Sequence, residues 1–244
     1  MPEPLEFSDL AKFHTLGDQP VPEVVLAMTE GGAPDLVWRN ELGGLTFRTT
    51  NRYIKWNPKD SGIDLDREHE RLRWLAGRHP VPRVLRFGQN ATEQWLLTEA
   101  VPGEHAVGDS WRERRSEAIA AIALGLRELH AIPIDDFPQD WIDDAWPNQR
   151  QQSLGTGPPI EDFVVVHGDA CAPNTLISED GEWTGNVDFG DLTLSDRWAD
   201  LAIASMSLDW NFGEGHQSEF FDAYGIDPDP ERIVYYRGLW DLGS

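Results

Sequence analysis

The sequence predicts an α+β fold of two lobes, with an antiparallel sheet and one main helix in the N-terminal lobe and a mostly helical C-terminal lobe. Short apolar runs separated by Gly and Pro fill the first part of the chain, a pattern typical of strands joined by turns. Apolar residues at helical spacing dominate the later part. The break at Val101-Pro102-Gly103 separates the two patterns, so we predict lobes at 1–97 and 105–244 with a hinge at 98–104.

The first lobe begins with short strands. Strands are predicted at residues 24–28 and 36–38, on either side of a glycine-containing turn, and at residues 52–56 after the Gly43-Gly44 hairpin. Leucines at helical intervals predict the main helix over residues 64–77, where the last residue, a glycine, acts as the stop. Strands at residues 81–85 and 94–98 complete the predicted sheet.

The second lobe begins with a helix at residues 117–130, in which Ile and Leu side chains fall on one face before Pro133. Residues 131–160 are rich in Asp, Pro, Gln and Gly, which predicts a long loop with one short helix. Further helices are predicted at residues 197–208, 217–224 and 230–240.

Between these helices the sequence predicts a strand and a hairpin. The apolar run at residues 163–166 predicts a buried strand that leads into a loop beginning at His167. A hairpin formed by residues 175–177 and 183–187 then presents Asp188 at its end.

The charge balance narrows the class of partner. With 20 basic and 43 acidic residues the formal net charge is −23, which would repel nucleic acid and an anionic membrane and favours a cationic small molecule. Solubility, or adaptation to a salt-rich, acidic proteome, explains the same balance equally well. The single cysteine, Cys171, excludes an intrachain disulfide and favours a cytoplasmic setting, and we expect neither a signal peptide nor a membrane span.

The most informative motif is the run from His167-Gly168-Asp169 to Asn174, followed by Asp188-Phe189-Gly190. Phosphoryl transfer needs one carboxylate to orient the attacking hydroxyl and oxygen ligands to hold magnesium. Kinases place these groups in a catalytic loop and in a following Asp-Phe-Gly turn, with the same spacing between the catalytic Asp and the Asn. The motif therefore predicts a kinase-type reaction.

In the order of its motifs the chain resembles the aminoglycoside O-phosphotransferases of the protein-kinase-like superfamily, nearest to the 3'-phosphotransferases and the streptomycin 3''-phosphotransferases. The resemblance covers nearly the whole chain. The segments that carry it are Tyr53-Ile54-Lys55, Arg73-Trp74-Leu75, Val81-Pro82-Arg83-Val84-Leu85, Trp95-Leu96-Leu97-Thr98-Glu99-Ala100, His167-Gly168-Asp169 to Asn174, Val187-Asp188-Phe189-Gly190, Asp196-Arg197-Trp198-Ala199-Asp200-Leu201-Ala202 and Tyr235-Tyr236.

The resemblance implies a nucleotide site in the first lobe. Lys55 would contact the α- and β-phosphates and form an ion pair with Glu68 of the main helix. Tyr53 would lie against the adenine ring, and the backbone at Thr98 and Ala100 would bond the adenine edge.

The resemblance also implies a phosphate contact at the turn that contains Gly32. Ala33 stands where the 3'-enzymes commonly carry a serine, so this contact would come from backbone amides.

For the reaction itself, the resemblance implies that Asp169 orients the substrate hydroxyl toward the γ-phosphorus. Asn174 and Asp188 would hold Mg²⁺ through oxygen atoms. His167 and Asp200 are expected to support the catalytic loop, with Asp200 bonding its backbone.

The substrate contacts are expected near two acidic residues. Asp191 follows the Asp-Phe-Gly turn where the nearest relatives tend to carry an arginine, and Asp241 is the best candidate near the C-terminus.

These features predict ATP- or GTP-dependent phosphorylation of an aminoglycoside hydroxyl, with antibiotic resistance as the role, by a monomer or homodimer. A kinase for a macrolide, a tuberactinomycin peptide, choline or an amino sugar is the alternative within the enzymes. A kinase-like binding protein without catalysis is the alternative outside them.

Overall fold

The computed structural model describes residues 20–29, 32–143, 145–150, 157–160 and 163–242. The expectation about a signal peptide therefore concerns residues outside the described part of the chain, as do two residues of the predicted glycine-containing turn, Glu30 and Gly31. None of the described helices is long and apolar enough to cross a membrane.

The chain divides into two units. The first comprises Met1–Trp74 and Pro82–Ala100, and the second comprises Leu75–Val81 and Val101–Ser244. The assignment of nucleotide binding and catalysis to separate lobes stays a prediction.

A five-stranded antiparallel sheet forms the centre of the first unit, with strand order β1-β2-β3-β5-β4. Its strands are β1 (Asp35–Arg39), β2 (Leu45–Arg48), β3 (Arg52–Pro58), β4 (Val84–Gln89) and β5 (Glu93–Glu99). In β3 the side chain of Ile54 is fully buried in a cluster with Phe47 and Leu97. Because side chains alternate along a strand, Tyr53 and Lys55 share the opposite face of β3.

The prediction of a strand at residues 24–28 was wrong, because helix α1 (Glu23–Leu26) covers most of these residues. Val25 and Met28 are three residues apart and are both buried against the sheet, which is the spacing of a helical face. The strand predicted at residues 81–85 begins later, at Val84, since Pro80 and Pro82 lack the amide hydrogen that a strand needs.

The main helix of the first unit is α2 (Leu65–Leu75), within the predicted range. The carboxylate of Asp64 accepts the amide hydrogen of Asp66, which caps the start of the helix. Glu68 lies in the first turn of the helix, so the cap that fixes the start of the helix also fixes where Glu68 stands.

The second unit is mostly helical and is built around one large apolar cluster that includes Trp111, Ile122 and Trp198. Its helices are α3 (Asp109–Glu113), α4 (Arg115–His130), α5 (Trp146–Gln149), α6 (Trp198–Phe212), α7 (Gln217–Tyr224) and α8 (Pro230–Asp241). The short helix expected within residues 131–160 is α5, preceded by a single 3-10 turn, Gln139–Trp141.

Two small sheets hold the loops of interest. Strand β7 (Phe163–Val166) pairs with β10 (Thr193–Asp196), and β8 (Thr175–Ile177) pairs with β6 (Glu104–His105) and with β9 (Trp183–Asn186).

The sequence did not predict β2, β6 or β10. β6 has two residues and β10 has four, so neither is long enough to show the alternation of apolar and polar residues that marks a strand. β10 also has a polar composition although all four residues are buried, since its polar groups find partners inside the unit, as Thr193 does at the Trp141 carbonyl.

Candidate active site

The predicted ion pair between strand β3 and helix α2 is present. Lys55 Nζ lies 2.7 Å from Glu68 Oε1 and 2.8 Å from Oε2, and the carboxylate is largely buried. A lysine held by both carboxylate oxygens has few accessible rotamers, so its ammonium group is fixed above one face of the sheet.

The residues expected to hold adenine lie on neighbouring strands. Tyr53 of β3 pairs with Thr98 of β5, and Thr98 pairs in turn with Val84 of β4. The amide of Ala100 donates to the carbonyl of Asn51, 2.9 Å away. This amide already donates a hydrogen bond within the first unit. The Ala100 carbonyl is therefore the group of this residue that could bond a base.

Gly32 lies in the connection between α1 and β1, not in a turn between two strands as expected. The tight glycine-containing turn joins β1 to β2 instead. Asn40 holds it, accepting the amide hydrogens of Leu42 and Gly44 at 3.1 and 2.7 Å. Kinases cover the phosphates with a glycine-containing loop between their first strands, so this turn is a better candidate than Gly32. The sequence predicted the Gly43-Gly44 hairpin but not this role for it.

In the second unit, the catalytic loop that follows β7 is anchored by one carboxylate. Asp200 of α6 is fully buried and accepts the amide hydrogens of His167 at 2.6 Å and of Gly168 at 3.0 Å. Two backbone donors on one buried carboxylate form strong, charge-assisted bonds that fix the start of the loop.

A second layer, not expected from the sequence, holds Asp200. His130 at the end of α4 contacts Asp200 Oδ2 through Nε2 at 3.0 Å and the hydroxyl of Tyr224 through Nδ1 at 2.8 Å. All three side chains are buried. This chain of bonds connects the ends of α4 and α7 to the catalytic loop.

His167 uses both ring nitrogens within the unit. Its Nε2 lies 2.9 Å from the carbonyl of Val187, and its Nδ1 accepts the amide hydrogen of Asp169 at 3.2 Å. A carbonyl can only accept, so Nε2 carries the hydrogen and Nδ1 is the acceptor. His167 thus connects the catalytic loop to the residue before Asp188.

The position of Gly168 leaves no room for a side chain. Its φ is +81°, and a Cβ there would lie 2.2 Å from the backbone oxygen of Asp191. The loop after the Asp188 turn therefore packs directly on the catalytic loop, and Asp191 lies beside it.

Asp169, the predicted catalytic residue, is held by Asn174. The Asn174 amide nitrogen donates to the Asp169 carbonyl at 2.9 Å and to its Oδ2 at 3.1 Å. Oδ1 of Asp169 is enclosed and has no hydrogen-bond partner among the described residues. Burial, with a smaller contribution from the charge of Asp188, raises the pKa of Asp169.

The donor set fits a magnesium ion. Asn174 commits its nitrogen to Asp169, which leaves its amide oxygen for a cation, and Asp188 supplies a carboxylate whose charge is felt at Asp169. These are hard oxygen ligands of the kind that Mg²⁺ selects, usually together with waters and phosphate oxygens.

Asp188 is also the one non-glycine residue of the described chain with positive φ, at 66°. Such strained backbone is concentrated at functional sites.

Cys171 lies in the same loop, and its thiol pKa is raised well above its usual value by burial and by the Asp169 carboxylate. The thiol therefore stays protonated near neutral pH, partly buried beside the Asp169 carboxylate and the Ser207 hydroxyl. Asp241, the other predicted substrate residue, is exposed at the end of α8.

Comparison with known proteins identifies a family. A family model described as "Phosphotransferase enzyme family" matches residues 23–156 and 154–234. An aminoglycoside 3'-phosphotransferase of Streptomyces ribosidificus is 35% identical over 246 residues, which cover 84% of this chain and 93% of the relative.

Solved structures extend the agreement to the fold. The crystal structure of aminoglycoside-3'-phosphotransferase of type VIII superposes with a TM-score of 0.74 at 27% identity, covering 90% of this chain and 97% of that one. APH(3'')-Id of Streptomyces rimosus, solved with ADP and streptomycin, superposes with a TM-score of 0.67 at 26% identity, covering 97% and 99%. The fold is therefore the kinase-like α+β fold of these enzymes. Because its sequence matches over most of its length, the chain belongs to the phosphotransferase enzyme family.

Proposed function

We propose that this chain transfers the γ-phosphate of ATP or GTP to a hydroxyl group of an aminoglycoside. The observation that carries the proposal is the catalytic loop, in which Asp169 is fixed by Asn174 and the loop backbone is fixed by Asp200. Relatives that match most of the chain are named aminoglycoside phosphotransferases. Resistance to the modified antibiotic is the proposed role, with the cytoplasm as the site of action.

Asp169 is proposed to accept a hydrogen bond from the substrate hydroxyl through Oδ1, the oxygen that has no partner among the described residues. Its other oxygen stays bonded to Asn174. The hydroxyl is thereby oriented toward phosphorus. As the new O–P bond forms, the bond from the γ-phosphorus to the bridging oxygen breaks, ADP or GDP leaves, and the hydroxyl proton passes to the carboxylate. A raised pKa suits a group that must receive a proton.

Asn174 and Asp188 are the proposed ligands for Mg²⁺. When bound, the ion would neutralise charge on the phosphate oxygens. The bond from Asn174 to Asp169 holds Asn174 without any contribution from the ion, and the positive φ of Asp188 indicates that the surrounding structure holds its backbone.

In the first unit, Lys55 is proposed to bind the α- and β-phosphates while Glu68 holds it, and Tyr53 is proposed to contact the adenine. The turn held by Asn40 is proposed to cover the phosphates in place of Gly32. Thr98, which pairs with Tyr53, would hold the strand beside the base, and the Ala100 carbonyl would accept a hydrogen bond from the base.

Charge favours a polycationic acceptor. Most acidic residues of the chain, but fewer than half of its basic residues, lie in the second unit, and all three lysines (Lys12, Lys55 and Lys59) lie in the first. A concentrated negative field raises the local concentration of a substrate carrying several ammonium groups. Asp191, beside the catalytic loop, and Asp241 are the proposed direct contacts.

The test is release of ADP or GDP, with mass analysis of the acceptor, across a panel of aminoglycosides, macrolides, tuberactinomycin peptides, choline and amino sugars. We expect phosphorylated aminoglycoside from the wild type, and a loss of several orders of magnitude in kcat for Asp169→Asn with nucleotide binding retained. The matched control is Asp222→Asn, at an exposed position of α7, which should keep full activity.

Two outcomes would overturn the proposal. Product from another acceptor class alone would assign the same chemistry to a different substrate. A magnesium-dependent shift in melting temperature with nucleotide, without product from any acceptor, would indicate a binding protein that does not catalyse.

A further inference from the structure

The peptide bond that precedes Asp169 is held at both of its polar ends. The Gly168 carbonyl accepts a hydrogen bond from the indole nitrogen of Trp146, and the Asp169 amide donates to Nδ1 of His167 at 3.2 Å. Both groups belong to one planar unit, so the two bonds together fix the rotation of that plane. The plane in turn sets the direction in which the Asp169 side chain leaves the backbone.

Trp146 is itself fixed by its surroundings. It is buried in the first turn of α5, and its ring meets the ring of Trp240 edge to face, with centroids 5.2 Å apart and planes at 84°. The guanidinium of Arg150 lies 5.5 Å from the Trp146 ring centroid. An aromatic ring with an edge-to-face partner and a cation over its face has little freedom to turn.

The same arginine connects this group to the last helix. Arg150 Nη1 donates to the carbonyls of Leu239 at 3.3 Å and Trp240 at 3.1 Å, in the last turn of α8. Basic side chains near the end of a helix can donate to its last carbonyls, so an arginine is well suited to this position. The segment 145–150 thus joins the end of α8 to the backbone of the catalytic loop.

We propose that Trp146 is a positioning residue for phosphoryl transfer, acting through the Gly168 carbonyl on the orientation of the Asp169 carboxylate. The proposal rests on the proposed function, since it assigns Trp146 a role in that reaction. Catalysis by a carboxylate that orients a hydroxyl is sensitive to small displacements, because the reacting atoms must meet within a narrow range of distance and angle. Trp146 does not touch either substrate in this account.

Trp146→Phe tests the proposal, because phenylalanine keeps an aromatic ring beside Trp240 but removes the N–H donor. We expect kcat to fall about tenfold, the factor that corresponds to roughly one buried hydrogen bond. KM for nucleotide and acceptor should stay within about twofold, because binding groups are untouched.

Trp111→Phe is the matched control. Trp111 is 2% exposed, and its indole nitrogen has no hydrogen-bond partner among the described residues. This variant loses the same atoms from the same core, so it controls for the cavity. Its unfolding free energy should fall less than that of Trp146→Phe, which also loses a buried hydrogen bond, and its kcat should stay near the wild-type value.

Replacement of Trp146 by 3-benzothienylalanine provides a second measurement that does not depend on a cavity. This side chain has nearly the shape of tryptophan and carries sulfur in place of N–H, so we expect the same loss in kcat, with a loss of stability limited to that of the one hydrogen bond. Trp240→Leu, which keeps the Trp146 donor but removes its ring partner, should lower kcat by a smaller factor.

Wild-type kcat in both the phenylalanine and benzothienylalanine proteins would overturn the proposal. A tenfold loss that Trp111→Phe reproduces would also overturn it, because the effect would then follow stability. A wild-type protein without activity on any acceptor would reject the proposed function itself, an outcome that differs from an active wild type with active variants.

Discussion

Acid should destabilise this protein through one buried histidine, His79. Its side chain is 5% exposed and lies against the rings of Trp183 and Phe189, with centroids 5.2 and 6.0 Å away. Its Nε2 lies 3.0 Å from Oδ1 of Asn186. Burial lowers the pKa of His79 from 6.5 to about 4; the bond to Asn186 opposes this, and smaller electrostatic contributions from His167 and His130 add to it.

The direction and size of the effect follow from linkage. The folded pKa lies below the unfolded one, so the unfolded state takes up a proton first as the pH falls. The stability associated with neutral His79 is therefore complete above about pH 6.5 and is lost progressively down to about pH 4. The loss amounts to about 2 kcal/mol at about pH 5 and about 3 kcal/mol at about pH 4.

Urea unfolding of the wild type and of His79→Gln, at about pH 7.5 and about pH 5, measures this contribution. Glutamine does not titrate, so the wild type should lose about 2 kcal/mol more than the variant over this interval, and their stabilities should converge. The control is His105→Gln at an exposed position, which should lose stability with pH as the wild type does. A His79→Gln protein as sensitive to pH as the wild type would refute the reasoning.

Three substitutions test how the catalytic loop and the second unit are held. Asp200→Asn keeps one acceptor for two backbone donors, so kcat should fall about 100-fold and the unfolding free energy by about 2–4 kcal/mol, measured by steady-state kinetics and urea unfolding. Gly168→Ala places a Cβ 2.2 Å from the Asp191 oxygen at a φ of +81°, so it should cost more than about 2 kcal/mol and abolish turnover; an active protein would contradict the packing. Arg232→Ala takes the countercharge, 2.6 Å away, from the fully buried Asp196 and should lower the unfolding free energy by about 3–5 kcal/mol, a loss that calorimetry would detect and that a wild-type melting temperature would exclude.

The sequence predicted well those parts of the protein whose signal is local. The predicted helices α2, α4, α6, α7 and α8 were confirmed. Helices α2 and α4 carry apolar residues at helical spacing, and α8 has its own cap, because Asp229 accepts the amides of Glu231 and Arg232. The kinase motifs were evident because their spacing along the chain is itself the requirement of the chemistry.

Elements without such a local signal were missed or assigned wrongly. Helix α1 is four residues long and apolar, so its composition favours a strand equally well, and only the burial of Val25 and Met28 on the sheet decides for a helix. Strand β10 is polar, and its burial depends on partners from other parts of the chain. Tertiary context overrode local preference at both places.

By itself the sequence determined the family, the α+β class and the identity of the groups that could carry phosphoryl transfer, since these depend on residue types in a fixed order. The tertiary structure alone decided how those groups are held. The anchoring of His167 by Asp200 spans 33 residues, that of Asp200 by His130 spans 70, and that of Gly168 by Trp146 spans 22. Hydrogen bonds between such distant residues leave no periodic trace in a sequence, because their partners become neighbours only when the core of the second unit has closed around them.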